Sequence, residues 1–234
     1  MQSFSIIFDM DGTLFQTDRI LEISLEETFE YLRSRDLWGK EVPSPIETYR
    51  AIMGVPLPQV WETLLPEHTD EVRMEADRHF LQTLIANIEK GKGALYAGTS
   101  EVLAYLKENG VSVYIASNGL QLYLAAIVRC YGLDAWVTET FSIEQIDSLD
   151  KADLVRSIIE KYGIEKGAVV GDRLSDIRAA QANGLFAIGC RFDFAREEEL
   201  AQADIVIDHL RELKTLIHQI SLSSPSGRNI LGTL

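Results

Sequence analysis

Six short apolar runs, at residues 3–8, 111–116, 135–138, 168–170, 186–190 and 205–207, each end in polar residues or glycine. Runs that are apolar along their whole length, rather than at alternate positions, read as strands buried on both faces. Between the later runs lie stretches with helical periodicity, at 100–109, 120–131, 152–162, 175–183 and 209–220. Parallel strands need crossovers of that length, so regular alternation of the two patterns predicts an α/β fold with helices on both faces of a parallel sheet.

One connection breaks the pattern. From Asp18 to about Lys92 the periodicity is helical only, and the stretch is far longer than an ordinary crossover. Leu21, Leu25, Phe29 and Leu32 share one helical face, as do Val72, Ala76, Phe80, Leu84 and Ile88 further on. Pro43, Pro45, Pro56, Pro58 and Pro66 cut the middle into short helices, and Gly91 and Gly93 stand where the chain returns. The expected organisation is a Rossmann-like catalytic core of residues 1–17 and 93–220, an inserted α-helical cap of residues 18–92, and a loose tail of residues 221–234.

Composition limits the partners. Lys and Arg number 22 against 36 Asp and Glu, a formal net charge of −14 over 234 residues. That balance opposes nonspecific binding to nucleic acid or to an anionic membrane. No run is long or apolar enough to span a bilayer, and Met-Gln-Ser leads straight into the first strand without a signal-peptide pattern, so a cytoplasmic location is expected. Cys130 and Cys190 are far apart and lack metal-ligand spacing; they read as reduced, buried thiols. The four histidines form no cluster, and a zinc site has no support.

Four blocks carry the chemistry. Phe8-Asp9-Met10-Asp11-Gly12-Thr13-Leu14 sets two carboxylates one residue apart at the carboxyl end of the first strand, where open α/β sheets place their ligand sites. One such carboxylate can act as nucleophile or hold a cation, and the other can handle a proton. Ser117-Asn118-Gly119, directly after the second strand, offers a hydroxyl and backbone N–H groups to phosphate oxygens at a helix start; alone it is more often a cap or turn. Lys151 would be a solvated charge in isolation, but beside carboxylates and phosphate it would balance negative charge. Gly171-Asp172-Arg173-Leu174-Ser175-Asp176 puts Asp172 at a strand end and Asp176 in an early helical turn. All four converge on one crevice, and the oxygen donors of Asp9, Asp11 and Asp172 favour Mg²⁺ over zinc or copper.

With these blocks in this order, the chain resembles the haloacid dehalogenase-like hydrolases, within their phosphatase and phosphomutase branch, over residues 2–215. The resemblance implies a phosphomonoester hydrolase in which Asp9 attacks phosphorus and forms an aspartyl-phosphate. Asp11 would protonate the leaving oxygen and later activate water. Mg²⁺ would be held by Asp9, by the backbone carbonyl of Asp11 and by Asp172, with Asp176 in support. Ser117, Asn118 and Gly119 would bind the phosphoryl group and Lys151 would balance its charge. Arg173 at the crevice mouth and Arg50 in the cap are further candidates for substrate contact. The 49–58 segment resembles the part of phosphoglycolate phosphatase-like members that faces the leaving group. Ala97 stands where the family commonly has proline, and Gln16 replaces a frequent acid. A small phosphorylated metabolite is the expected substrate. A sugar-phosphate mutase and a non-catalytic phosphate-binding interaction protein are the alternatives.

Overall fold

A computed structural model of the chain describes residues 4–52, 57–193 and 195–221. The expected loose tail beyond Ser221, and residues 53–56 of the segment expected to face the leaving group, lie outside the described residues. In chain order the elements are β1 (Phe4–Phe8), α1 (Asp18–Ser34), α2 (Ile46–Ala51), α3 (Leu57–Leu64), α4 (Asp70–Glu89), α5 (Thr99–Glu108), β2 (Ser112–Ser117) and α6 (Gln121–Tyr131). They continue with β3 (Glu139–Ser142), α7 (Lys151–Tyr162), β4 (Lys166–Gly171), α8 (Leu174–Ala182), β5 (Phe186–Cys190), α9 (Glu197–Leu200), β6 (Ile205–Ile207) and α10 (Leu213–Ser221). No helix among the described residues is long and apolar enough to cross a membrane.

The six strands form one sheet in the order β3-β2-β1-β4-β5-β6, and every pairing is parallel. β1 lies in the interior between β2 and β4, which explains why all five of its residues are buried and its sequence is nearly unbroken apolar. Register brings the active ends level: Phe8 pairs with Ile115 and with Val170, and Ser117 with Ser142. Whatever follows Phe8, Ser117 and Gly171 therefore emerges at one edge of the sheet, on either side of the point where strand order reverses. On one face, Leu154, Val155 and Ile158 of α7 pack with Ile177, Ala179 and Ala180 of α8 over Ile7, Tyr114 and Val169.

Two sequence expectations need correction. The third strand is not at 135–138; Leu133–Ala135 makes a 3₁₀ turn and the strand is Glu139–Ser142. The apolar residues Trp136 and Val137 only lead into it, and pairing with β2 takes over from Thr138, whose N–H reaches the Val113 carbonyl at 2.8 Å. Being an edge strand, β3 tolerates polar residues, and Glu139 meets Lys161 at 2.7 Å. The second correction concerns the thiols. Cys190 is buried, but Cys130 is exposed in the last turn of α6, beyond the face that buries Tyr123, Leu124, Ala126 and Ile127.

The chain separates into two compact units, one running up to Gln16 and resuming at Ala94, the other Thr17–Gly93. In the second, Ile20, Leu25, Phe29 and Leu32 of α1 and Ala76, Phe80, Leu84 and Ile88 of α4 are buried. Tyr49 and Trp61 both set their rings edge-on to Phe80, at centroid distances of 6.0 and 5.7 Å. A buried polar contact, Asn87 donating to the Ser24 hydroxyl at 2.9 Å, joins α4 to α1. In the first unit the outgoing and returning segments run side by side: Tyr96 N–H donates to the Leu14 carbonyl at 3.0 Å and Gln16 N–H to that of Ala94 at 2.8 Å.

Candidate active site

Asp9 is the first residue past β1, and its N–H still donates to the Val170 carbonyl at 2.8 Å, so its Cα is held by the sheet rather than by a free loop. The chain then turns sharply at Gly12, whose φ of +77° suits glycine. A Cβ there would also stand 2.5 Å from Asp172 Oδ2, so both backbone and space require glycine. The turn delivers buried Thr13 to donate to Asp172 Oδ1 at 3.0 Å, which ties the first block to the fourth.

Lys151 opens α7 and is buried, an arrangement that costs free energy unless the charge is paired. It is paired twice: Nζ lies 2.5 Å from Asp9 Oδ1 and 2.5 Å from Asp176 Oδ1. Burial works against the charged ammonium, yet Asp176 and Asp9 outweigh it and its pKa is raised. The other Asp176 oxygen accepts the Arg173 N–H at 3.0 Å. Gly171 makes room for this carboxyl, since a Cβ at that position would sit 2.1 Å from Asp176 Cγ.

Carboxylates outnumber the cation here. Burial pushes the Asp9 carboxyl well above its ordinary value; Lys151 pulls it down, and Asp176, Asp172 and Asp11 push it up further. Asp172 is pushed up to about 7, by burial first and then by Asp176. Asp9, Asp172 and Asp176 offer carboxylate oxygens within 4.8 Å of one another. An all-oxygen donor set with surplus negative charge fits a hard divalent cation such as Mg²⁺. With both oxygens of Asp176 engaged by Lys151 and the Arg173 N–H, Asp9 and Asp172 are the better-placed carboxylate ligands.

Ser117 ends β2 and is buried. Its hydroxyl accepts the Gly119 N–H at 3.0 Å and lies 3.4 Å from Asp11 Oδ2. Ser142, across the β2–β3 pairing, donates to the Gly119 carbonyl at 2.7 Å and so fixes the Ser117-Asn118-Gly119 loop from the side. Lys151 thus joins Asp9 to Asp176, Ser117 links Asp11 to Gly119, and Asp9 feels the charges of Asp172 and Asp11; Asn118 lies within the Ser117–Gly119 loop. Arg173 is at the rim, with Nε 3.3 Å from Glu199 Oε2. Arg50 belongs to the other unit and pairs with Glu22 at 2.6 Å and Glu47 at 2.5 Å.

Three contributors escaped the sequence reading. Thr13 stands in the first block without an assigned role, although a hydroxyl two residues past Asp11 is a signal for a carboxylate partner. Glu199, from the short helix α9, accepts the Leu174 N–H at 2.8 Å and so anchors the start of α8 from a distant loop; nothing in sequence ties positions 25 apart. Tyr123 is given no part by the sequence beyond lying in the 120–131 helical stretch, yet its hydroxyl donates to Asp11 Oδ1 at 2.5 Å. A buried tyrosine generally needs a partner for its O–H, and one in the first turn after a phosphate-type loop has the site within reach.

The chain resembles known proteins in sequence and in fold. Residues 5–184 match the model of the haloacid dehalogenase-like hydrolases. The chain is 26% identical to protein CbbY of Cereibacter sphaeroides over 89% of its own length and 93% of that protein's. It is 25% identical to a phosphoglycolate phosphatase of Nitrosococcus oceani, covering 92% and 96% of the two chains. Its fold superposes with a TM-score of 0.74 on a CbbY variant of Rhodobacter sphaeroides crystallised with xylulose-(1,5)bisphosphate, at 22% identity over 89% of this chain and 95% of that one.

Proposed function

The chain belongs to the haloacid dehalogenase-like hydrolase family, and on that premise we propose that it is a Mg²⁺-dependent phosphomonoester hydrolase acting through an aspartyl-phosphate. The observation that carries the proposal is the Asp9–Lys151 pair: a buried carboxylate at a strand end, held by one cation at 2.5 Å among Asp11, Asp172 and Asp176. Asp9 keeps its second oxygen outside that ion pair for attack on phosphorus. As the ester P–O bond breaks, Asp11 gives its proton to the leaving oxygen. It then takes a proton from water, which attacks phosphorus and frees Asp9 and inorganic phosphate. Lys151 and the Ser117–Gly119 loop balance and orient the phosphoryl oxygens, so most of the rate comes from positioning and fixed charge.

Asp9, the Asp11 carbonyl and Asp172 would hold Mg²⁺, which supplies charge neutralisation for the phosphoryl oxygens. The inserted unit would serve as a cap that admits substrate and excludes water, a role supported by its connectivity. A small phosphorylated metabolite is the proposed substrate, supported by the phosphoglycolate phosphatase among the relatives and the sugar bisphosphate bound to the CbbY variant.

Phosphate release from phosphoglycolate, hexose phosphates, nucleoside monophosphates, pyrophosphate and a phosphopeptide, with and without Mg²⁺, tests this. Mg²⁺-dependent release from small esters is expected. Isomerised sugar phosphate without phosphate release would turn the reading to a mutase, and a preference for the phosphopeptide would sink the small-substrate claim.

The raised Asp172 pKa sets a pH signature. Its folded value of about 7 exceeds the ordinary 3.8, so the folded state binds this proton more tightly than the unfolded chain does. The stability it contributes is full below about pH 4 and is lost as pH rises through 7; Asp9 acts in the same sense. Without metal, this cluster should therefore destabilise the protein between pH 5 and 8, and Mg²⁺ should raise the melting temperature at pH 8 far more than at pH 5. An equal Mg²⁺ effect at both pH values would remove the carboxylates as its origin.

A further inference from the structure

We propose that Tyr123 is a positioning residue for proton transfer by Asp11: its hydroxyl occupies Oδ1 and so commits Oδ2 to carrying the proton to the leaving group and, in the second half-reaction, from water. This rests on the aspartyl-phosphate reading above. Three observations support it. The Tyr123 hydroxyl donates to Asp11 Oδ1 at 2.5 Å, and with the phenol proton already directed there, that oxygen is an acceptor only. Oδ2 lies on the phosphate-loop side of the carboxyl, 3.4 Å from the Ser117 hydroxyl. The loop also leaves the tyrosine room: a Cβ on Gly119 would stand 3.1 Å from Leu124 Cδ2, 3.2 Å from Ser117 Oγ and 3.2 Å from the Tyr123 ring, so glycine there clears space for all three.

The ring is itself well fixed. Tyr123 is 5% exposed in the first turn of α6, whose buried face continues with Leu124, Ala126 and Ile127. The preceding residues are tied down as well, with the Gly119 carbonyl held by Ser142 and the Gln121 N–H by Glu144 at 2.6 Å. The hydroxyl is thus presented by a helix, while Asp11 stands in the turn beyond β1, and the shared hydrogen bond lets the helix orient the carboxyl.

The test exploits the leaving group. An alkoxide needs its proton as the P–O bond breaks, whereas a nitrophenolate leaves without one. Tyr123→Phe removes a single oxygen and keeps the ring packing. In kcat/KM, which reports the step that forms the phosphoenzyme, the variant should lose about tenfold or more on an alkyl phosphate such as phosphoglycolate. On p-nitrophenyl phosphate it should lose less than about threefold, with KM for the alkyl substrate little changed. Circular dichroism and the Mg²⁺-dependent melting temperature should match the parent protein. A loss of equal size on both substrates, or no loss on either, overturns the role of Tyr123 while leaving the phosphatase reading intact. Failure of the parent protein to release phosphate from either substrate overturns both together.

Discussion

Asp9→Asn should reduce phosphate release by at least about a thousandfold while leaving the protein folded. The amide has the shape of the carboxylate, and its carbonyl can still accept the hydrogen bond from Lys151, so the sheet end and its neighbours have no reason to move. What disappears is the anionic oxygen that must bond to phosphorus. The parent protein, quenched during turnover, should carry one phosphoryl group by mass spectrometry, and the variant none. Phosphate release within tenfold of the parent by a well-folded Asp9→Asn protein would exclude the covalent route.

Lys151→Met should have the largest effect on stability. The ammonium is buried and serves two buried carboxylates at 2.5 Å each, so its removal strands Asp9 and Asp176 without their cation. Leaving one side of a buried ion pair unpartnered costs about 3–5 kcal/mol. For a chain of this size each kcal/mol lowers the melting temperature by about 2–4 °C. A drop on the order of 10 °C in metal-free protein at pH 8 is therefore expected. It should shrink at pH 5, where the Asp9 carboxyl, already raised by burial, can take up a proton, and shrink again with Mg²⁺. An unchanged melting temperature at pH 8 would mean that Lys151 neutralises nothing of consequence. Activity would fall as well, but the melting curve isolates the electrostatic role from the chemical one.

The parts of this protein legible in its sequence are those where one residue's neighbours in the chain decide its position. β1, β5 and β6 and the helices between them follow from apolar periodicity, and Asp9, Ser117 and Asp172 follow from standing at the ends of strands. What stayed hidden depends on contacts across the fold. β3 was misplaced because an edge strand needs little apolar character, and its position is set by pairing with Tyr114–Ser117 rather than by its own residues. Tyr123 and Glu199 reach the candidate site through hydrogen bonds to Asp11 and to the Leu174 N–H; the first has only its place after the Ser117–Gly119 loop to signal it, and the second has no spacing signal at all. Arg50 illustrates the converse: its position in a suggestive segment says nothing of Glu22, 28 residues earlier, which the fold brings to it.

The side-by-side exit and return at Gln16 and Ala94 makes the core sheet indifferent to what is spliced between them. Because the two segments of that junction are already joined by backbone hydrogen bonds, the intervening segment spans almost no distance as the core experiences it, whatever its length. Removing it and closing the gap with a short turn would cut no strand pairing, and the shorter loop would lower the entropy cost of closure only slowly with length. The junction is in effect a socket: a change in the length of the insert need not disturb Asp9, whose N–H stays bonded to the Val170 carbonyl in the sheet.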